Sequence, residues 1–259
     1  MIIAVDISNT YITLGCLERQ SGTIRFTVQL SSERGRTADE YAIVLRELFL
    51  LHAFDPHCVE GCILASVVPP LTPLVRKALE RITGKKVLVV GVGVKTGLDI
   101  RIDNPAQLGS DMVAMAVAAC ALYPKPVLIF DLSTATTLSV LDSKGSYIGG
   151  MIMPGAALGM EALSRSAAQL PHISYEAPKR LIGTNTVDCM KSGYIYGTAA
   201  MLDGVIHQVE KKLGSTATIV ATGGQAADIV RFCERKILHE PNLRLIGLRL
   251  IYERNMDKK

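Results

Sequence analysis

One short pattern occurs twice in this chain, and it constrains the fold more than any other feature of the sequence. Residues 2–10 and 127–135 each contain four apolar residues, then Asp, an aliphatic residue, Ser and small polar residues. The two copies lie about half of the chain's 259 residues apart. Each leads into a second β-rich segment, at 12–17 and at 137–141. Recurrence of this kind predicts two lobes of similar structure.

Each copy is typical of a buried strand that ends in a polar turn. A turn of this kind presents backbone N–H groups to an anion, and its Asp, Asp6 or Asp131, offers an oxygen ligand to a metal. For one copy alone, a purely structural turn would be the better interpretation. Two copies that face each other across a cleft would hold a nucleoside triphosphate from both sides. The repeat therefore favours two lobes with a nucleotide cleft between them.

Strand and helix patterns alternate along the chain, which predicts the α/β class. The chain begins with three strand-like runs, at 1–6, 12–19 and 23–30. A helix follows, and a capping box at Thr37–Glu40 marks its start. A helix at 74–82 and a strand at 86–91 follow. The rigid, proline-rich segment 123–126 is a poor helix former, so we place the lobe boundary there. The predicted lobes are 1–124 and 125–259.

Composition and charge exclude several classes of protein. Hydrophobic residues make up 49% of the chain, which excludes disorder, and charges or Gly and Pro interrupt every apolar stretch before the ~20 residues of a membrane span. The first residues lack the basic region of a signal peptide, so we expect a cytoplasmic protein without a membrane partner. The net charge of +4 is scattered, which disfavours nucleic-acid binding.

Six cysteines occur without the density of a disulfide framework. We expect them to be small buried hydrophobic residues in a reducing compartment. His57, Cys58 and Cys62 are close in sequence, but their spacing matches no zinc pattern.

Two glycine-rich segments indicate close approaches of the backbone. Residues 149–155 contain more glycine than a stable strand tolerates, and Thr222-Gly223-Gly224 ends a strand before a predicted helix from Gln225. Such a turn lets the backbone lie against a base or ribose, although a Gly-Gly turn alone is weak evidence. A long helical segment is predicted between them, at 187–213. Its apolar stripe is either core or interface, and we expect at least half to be core: Ile195, Ala199, Leu202 and Ile206.

The order of these motifs resembles the type III pantothenate kinase family over nearly the whole chain. The segments that carry the resemblance are 6–10, 104–105, 109–111, 131–136, 149–155, 182–186, 192–193, 222–224, 241–243, 247–248 and 251–252. The resemblance implies a duplicated actin-like (ribonuclease H-like) ATPase fold and a homodimer. It also implies ATP-dependent phosphorylation of the primary hydroxyl of pantothenate to 4′-phosphopantothenate, the first step of coenzyme A biosynthesis. The implied cofactors are ATP, Mg²⁺ and a monovalent cation, K⁺ or NH₄⁺.

The resemblance also implies roles for individual residues. Asp6 would help to place Mg²⁺, and Asp131 would lie near the monovalent cation. The phosphate-binding residues would be Ser8, Asn9, Thr10, Ser133 and Thr134, and the residues that border the adenosine would be Thr222, Gly223 and Gly224. Gly109, Ser110 and Asp111 would bind the substrate. Thr186 would reach pantothenate in the site of the neighbouring subunit.

Asp111 matches the general base of the family. One carboxylate within hydrogen-bond reach of the alcohol suffices, because phosphoryl transfer mainly requires alignment and charge neutralisation. Asp111 is also an acidic residue in the first turn of a predicted helix at 113–122, where the helix dipole favours it. Both roles are compatible.

The chain departs from the family pattern at five positions. Ser8 and Ser133 stand where the family has Gly, so either each turn is blocked, or the backbone keeps a negative φ and the hydroxyl donates to phosphate. We favour the second outcome. Met112 replaces an Arg that engages the acidic substrate, Ile102 a Tyr, and Thr184 a Lys. Arg101 and Arg165 are candidates to supply the missing charge.

These departures keep two other functions open. One is a catalytically impaired paralogue that acts as a binding or regulatory protein. The other is a kinase of similar chemistry for a different, less acidic small alcohol, which the apolar Met112 suggests.

Overall fold

The computed structural model describes residues 1–256, and their contacts divide the chain into two units. The first unit comprises Met1–Leu98, Asp103–Ala121 and, among the described residues, 242–256. The second unit comprises Asp99–Ile102 and Leu122–Pro241. The main division thus falls close to the proline-rich segment. Two stretches lie in the unit opposite to the predicted one: residues 99–102 belong to the second unit, and residues 242–256 belong to the first.

Each unit contains one mixed sheet of five strands. The strands are β1 Ile2–Ile7, β2 Tyr11–Leu17, β3 Ile24–Ser31, β4 Gly61–Ser66, β5 Val87–Val89, β6 Val127–Leu132, β7 Ala135–Leu141, β8 Tyr147–Pro154, β9 Thr218–Thr222 and β10 Leu238–His239. The sheet orders are β3-β2-β1-β4-β5 and β10-β9-β6-β7-β8. In chain order, the first three strands of each sheet, β1–β3 and β6–β8, form antiparallel pairs. The last two, β4–β5 and β9–β10, run parallel to the central strand β1 or β6.

The two sheets share topology, orientation and one irregularity. A register shift lies between Cys16 and Leu17 in the first sheet and between Val140 and Leu141 in the second. These positions correspond when the copies are aligned from their second strands. The turn after β1 is one residue longer than the turn after β6, so Thr10 has no counterpart. The duplication predicted from the repeat is therefore confirmed.

Helices connect the strands in the α/β pattern that the sequence predicts. They are α1 Ala38–Leu51, α2 Thr72–Thr83, α3 Ser110–Leu122, α4 Ala156–Ser166, α5 Thr186–Ser192, α6 Thr198–Leu213, α7 Ala226–Ile229 and α8 Leu243–Met256. A π-helical turn at Gly193–Gly197 joins α5 to α6, so the predicted long helical segment is continuous. The helix predicted from Gln225 is short.

The apolar stripe of the long helical segment belongs to the core of the second unit. All four of its residues are at most 1% exposed and pack with the apolar side chains of β6, β7 and β9: Ile195, Ala199, Leu202 and Ile206. The core interpretation is thus correct for the whole stripe.

The C-terminal helix α8 packs on the first sheet, not in the second lobe as the 125–259 boundary predicted. Glycines make this packing possible, since added Cβ atoms would meet their neighbours below van der Waals distance. A Cβ at Gly61 would lie 1.8 Å from the Tyr252 hydroxyl oxygen, and one at Gly247 would lie 1.8 Å from the Ala114 carbonyl oxygen. Residues 99–102 likewise join the second unit, where Arg101 N–H donates to the Tyr147 carbonyl at 2.8 Å.

The cysteines differ in burial, and two of them, Cys120 and Cys233, are half-buried. Cys16 and Cys62 are buried, and burial raises the pKa of each thiol to about 11. Cys58 and Cys189 are exposed, so the expectation that the cysteines are buried is wrong for these two. No helix among residues 1–256 is both long and apolar enough to cross a membrane.

The predicted capping box at the start of α1 is present. Thr37 Oγ1 accepts from the Glu40 N–H at 3.3 Å, and the Glu40 carboxylate accepts from the Thr37 N–H at 2.6 Å. We expect Thr37→Ala to lower the free energy of unfolding by about 1 kcal/mol, because the first turn loses its cap. Urea denaturation measures this loss, with exposed Glu47→Ala on the same helix as control. Equal stability of the two variants would show that the cap does not stabilise α1.

Candidate functional site

Asp6 and the turn that follows it lie at the carboxyl end of β1. This end of a mixed α/β sheet is where ligands commonly bind. Asp6 is only 2% exposed and pairs in register with Ala65 of the parallel strand β4. We call residues 8–10 the first turn. Asn9 and Thr10 are exposed, so the first turn presents polar groups to solvent beside a buried carboxylate.

The first turn is closed by the side chain of its own serine. Ser8 Oγ donates to the Tyr11 carbonyl at 2.8 Å and accepts from the Tyr11 N–H at 3.2 Å. Ser32, which the sequence did not single out, follows the last residue of β3 and holds the turn: its Oγ donates to the Ser8 carbonyl at 2.6 Å, and its N–H donates to the Thr10 carbonyl. The turn is therefore held from within and by the residue after β3.

Residues 133–134, which we call the second turn, occupy the same position after β6. Asp131 is 4% exposed and pairs in register with Thr222 of β9. Ser133 Oγ donates to Asp131 Oδ2 at 3.3 Å, and the Ser133 N–H donates to the Ala135 carbonyl at 3.2 Å. The backbone bond repeats the first turn, where the Ser8 N–H donates to the carbonyl of Tyr11, the first residue of β2. The hydroxyls differ, because Ser8 Oγ bonds to backbone atoms and Ser133 Oγ donates to a carboxylate.

Both serines keep ordinary backbone angles in place of glycine. Among the described residues, Ala53 is the only non-glycine with a positive φ. Ser8 and Ser133 therefore fit their turns without left-handed strain, as the preferred alternative predicted. The Ser8 hydroxyl bonds to the backbone of Tyr11, and the Ser133 hydroxyl donates to Asp131 and to the Ala135 carbonyl.

Two glycines support the second turn from neighbouring segments. A Cβ at Gly155 would lie 2.2 Å from the Thr134 carbonyl oxygen, and one at Gly223 would lie 2.4 Å from the Leu132 carbonyl oxygen. Gly223 also has a φ of +96°. A Cβ at Gly224, in contrast, would have no heavy atom within 4 Å. The close approaches predicted from both glycine-rich segments are therefore present, and their partner is this chain's own backbone.

Thr222 brings the glycine motif to the same edge as Asp131. The Thr222 side chain is buried, and its Oγ1 donates to the Pro241 carbonyl at 3.5 Å. Gln225 N–H donates to the Leu132 carbonyl at 3.1 Å, which fastens the segment after Gly224 to the end of β6. The structure therefore brings Thr222, Gly223 and Gly224 together with Asp131 and the second turn.

Asp111 lies in the first turn of α3, at the same sheet edge as Asp6. Ser110 anchors this helix end to the last residue of β4: the Ser66 N–H donates to Ser110 Oγ at 3.0 Å, and Ser110 Oγ donates to the Ser66 carbonyl at 3.2 Å. Ser66 pairs in register with Ile7, the residue after Asp6. Gly109, Ser110 and the half-buried Asp111 therefore share the edge that carries the first turn.

The first turn of α3 also orients the Asp111 carboxylate. The Met112 N–H donates to Asp111 Oδ1 at 2.8 Å. Gly109 makes room for this oxygen, since a Cβ at Gly109 would lie 2.4 Å from Oδ1. The acid therefore has a fixed orientation at the helix start.

Arg244 completes the surroundings of Asp6, and the sequence analysis missed it. Its Nη1 lies 3.3 Å from Asp6 Oδ2, and its side chain is 18% exposed. Its only sequence signal is its place next to the 241–243 motif, because 238 residues separate it from Asp6. The buried carboxylate of the first turn is thus paired with a guanidinium.

The contacts described around Thr186 are local to the start of α5. Thr186 is exposed at the start of α5. Asn185 caps this helix, accepting from the Asp188 N–H at 2.9 Å. A Cβ at Gly183 would lie 2.4 Å from the Cys189 backbone nitrogen, so this glycine packs on the first turn of α5. The conformation of the 183–186 motif is explained by this helix start.

The two candidates for the missing substrate arginine are both engaged elsewhere. Arg101 Nε donates to Asp99 at 2.7 Å, and Arg165 lies 3.8 Å from Glu161 on α4. Hydrogen bonds from Ser146 and Arg101 lower the pKa of Asp99 below its usual value. Both arginines are exposed, and each pairs on the surface with a carboxylate of its own segment.

The hydroxyl of Ser8 should contribute measurably to stability. We expect Ser8→Ala to lower the free energy of unfolding by about 1 kcal/mol, since two hydrogen bonds within the turn are lost. Ser133→Ala is the matched variant, and its effect should be smaller because its hydroxyl bonds are longer, at 3.3 and 3.5 Å. Thermal denaturation compares the two. A larger loss for Ser133→Ala would contradict this order.

A model of one known family matches most of the chain. It describes type III pantothenate kinase and aligns with residues 2–208. The chain belongs to the type III pantothenate kinase family. A relative from Moorella thermoacetica, named type III pantothenate kinase, is 40% identical over 258 residues, which cover 98% of this chain and 100% of the relative. The resemblance found in the sequence is thereby confirmed.

Solved structures place this type III pantothenate kinase family member in a wider fold group. A ROK family glucokinase from Streptomyces griseus, solved with glucose and AMPPNP, has a TM-score of 0.51 and 14% identity, covering 96% of this chain and 97% of that one. A ROK hexokinase from Thermus thermophilus has a TM-score of 0.50 and 15% identity, covering 99% of each chain. These likenesses show the fold alone, and they agree with the predicted duplicated actin-like α/β fold.

Proposed function

We propose that this protein transfers the γ-phosphoryl group of ATP to the primary hydroxyl of pantothenate, giving 4′-phosphopantothenate and ADP in the first step of coenzyme A biosynthesis. Full-length similarity to type III pantothenate kinases supports this activity. The observation that carries it is the anchoring of Ser110 to Ser66. It holds a carboxylate, Asp111, at the edge that carries the first turn.

Asp111 is the proposed general base. Its Oδ1 is held by the Met112 N–H, so we assign acceptance of the substrate's hydroxyl proton to Oδ2. Gly109 and Ser110 would bind the substrate beside it. The proton passes to Oδ2 as the substrate oxygen attacks the γ-phosphorus, and the bond from that phosphorus to the leaving ADP oxygen breaks.

The two turns and the glycine motif are the proposed nucleotide site. The exposed residues Asn9 and Thr10 present donors to phosphate, and Ser8 shapes the turn that carries them. Ser133 and Thr134 would bind phosphate in the same way. The backbone of Thr222, Gly223 and Gly224 would border the adenosine, because Gly224 is exposed and has no neighbour within 4 Å of a Cβ position.

The donor sets fit the proposed cations. Mg²⁺ in phosphoryl-transfer sites uses one or two carboxylates together with substrate phosphates and water, so the single buried carboxylate of Asp6 is sufficient. Among residues 1–256, no group of three or more His, Cys, Asp or Glu side chains is placed to hold a metal ion. The proposal therefore assigns the remaining ligands of Mg²⁺ to the substrate. When bound, Mg²⁺ neutralises charge on the phosphates.

Asp131 is the proposed neighbour of the monovalent cation, K⁺ or NH₄⁺. Gly223 packs against both Asp131 Oδ1 and the Leu132 carbonyl oxygen, since its Cβ would lie 2.6 and 2.4 Å from them. A carboxylate and a carbonyl oxygen in one place are ligands that suit a hard cation.

Further parts of the proposal concern assembly and location. We propose a homodimer in which Thr186, exposed at the start of α5, reaches the substrate in the neighbouring subunit's site. The six free cysteines support a reducing, cytoplasmic location.

The proposed activity is tested by measuring ADP release at millimolar ATP with Mg²⁺ and K⁺, with and without pantothenate. Turnover that depends on pantothenate is the expected result. Turnover only with other hydroxylated acceptors would instead identify a different small alcohol as the substrate. A folded protein that binds nucleotide without turnover would be a binding or regulatory paralogue. In that case the combined changes Ser8→Gly, Ser133→Gly and Met112→Arg should raise activity.

A further inference from the structure

Asp6 creates an electrostatic problem at the first turn. Its carboxylate is buried at the place where phosphate groups are proposed to bind, and a buried negative charge repels an anion strongly because the local dielectric constant is low. A cation must therefore accompany Asp6 before the turn can hold phosphate. Mg²⁺ is one such cation, and the chain supplies another.

Arg244 places a permanent positive charge on this carboxylate. Its Nη1 lies 3.3 Å from Asp6 Oδ2, and less than a fifth of its side chain is exposed. A guanidinium stays protonated at all ordinary pH values, so the charge does not depend on conditions. Partial burial also limits screening by salt.

Helix formation does not account for Arg244. It is the second residue of α8, where the helix dipole disfavours a cation, and no acidic residue lies in that first turn. Arg249 on the same helix differs, because it has a helix partner: its Nη1 lies 2.6 Å from Glu253. The ion pair with the Asp6 carboxylate favours a cation at the start of α8.

We infer that Arg244 is a built-in counter-ion for Asp6, which lets the first turn accept phosphate without a divalent cation and weakens the hold of Asp6 on Mg²⁺. The inference rests on the proposed nucleotide site. A divalent cation at Asp6 would lie close to the guanidinium, and the two positive charges repel each other. Arg244 thus acts as a positioning residue that sets how far nucleotide binding depends on metal.

Calorimetric titration with ATP, in EDTA and in excess Mg²⁺, tests the first part. In EDTA, Arg244→Gln should weaken ATP binding at least about tenfold, whereas Arg244→Lys should retain most of the affinity. In Mg²⁺, Arg244→Gln should bind ATP as well as the unchanged protein does. Arg249→Gln is the matched control, since Arg249 is similarly buried at 14% exposure, and it should follow the unchanged protein in both buffers. An equal loss in both buffers would indicate a structural role and overturn the inference, as would no loss in either.

Titration with Mn²⁺ alone, followed by electron paramagnetic resonance, tests the second part without nucleotide. Arg244→Gln should bind Mn²⁺ at least about threefold more tightly than the unchanged protein, because the competing charge is gone. Equal affinities would overturn the inference. If the unchanged protein binds no ATP in either buffer, the proposed nucleotide site fails, and the Mn²⁺ titration still decides the role of Arg244.

Discussion

Asp111→Asn should lower pantothenate-dependent turnover by about 10²–10⁴-fold while the protein stays folded. Asparagine keeps an oxygen that accepts from the Met112 N–H, so the first turn of α3 retains its bond. The amide cannot accept the proton of the substrate hydroxyl. The loss should therefore appear in kcat, with little change in the affinity for ATP.

Asp103→Asn is the control for this result, because Asp103 is an exposed aspartate in the segment that leads to α3. It should leave turnover within about twofold of the unchanged protein, as is usual for surface substitutions. Initial rates of ADP release, together with circular dichroism to verify folding, measure both variants. An Asp111→Asn protein with undiminished turnover would remove Asp111 from the role of general base.

Gly223→Ala should destabilise the second unit by about 3 kcal/mol and abolish tight nucleotide binding. The added Cβ would lie 2.4 Å from the Leu132 carbonyl oxygen and 2.6 Å from Asp131 Oδ1, at a φ of +96°. Backbone atoms cannot yield as a flexible side chain can. The glycine segment and the end of β6 must therefore move apart, which separates groups that we propose act together on the nucleotide.

The neighbouring Gly224 provides a matched control. It has no heavy atom within 4 Å of its Cβ position and no positive φ, so Gly224→Ala should change stability by no more than about 0.5 kcal/mol. Thermal denaturation compares the stability of the two variants, and titration with ADP measures nucleotide binding by Gly223→Ala against the unchanged protein. If Gly223→Ala and Gly224→Ala are equally stable, close packing against the end of β6 is not what requires a glycine at 223.

Much of the candidate site could be predicted because its residues lie in continuous segments of the sequence. The turns at 8–10 and 133–134, the motif at 222–224 and the acid in the first turn of α3 are each encoded by neighbouring residues. The partners of these segments could not be predicted in this way. No local sequence pattern marks the hydrogen bond of Ser32 to the first turn or that of Ser66 to Ser110.

The sequence by itself predicted the duplicated α/β fold, since two copies of one apolar and polar pattern favour equivalent strands and turns, and the family resemblance implied the same fold. It also predicted that serine would replace glycine without strain. The tertiary structure alone decided that α8 returns to the first sheet and brings Arg244 to Asp6. An ion pair between residues 238 positions apart leaves no local pattern, because only the folding of the intervening chain brings its two charges together.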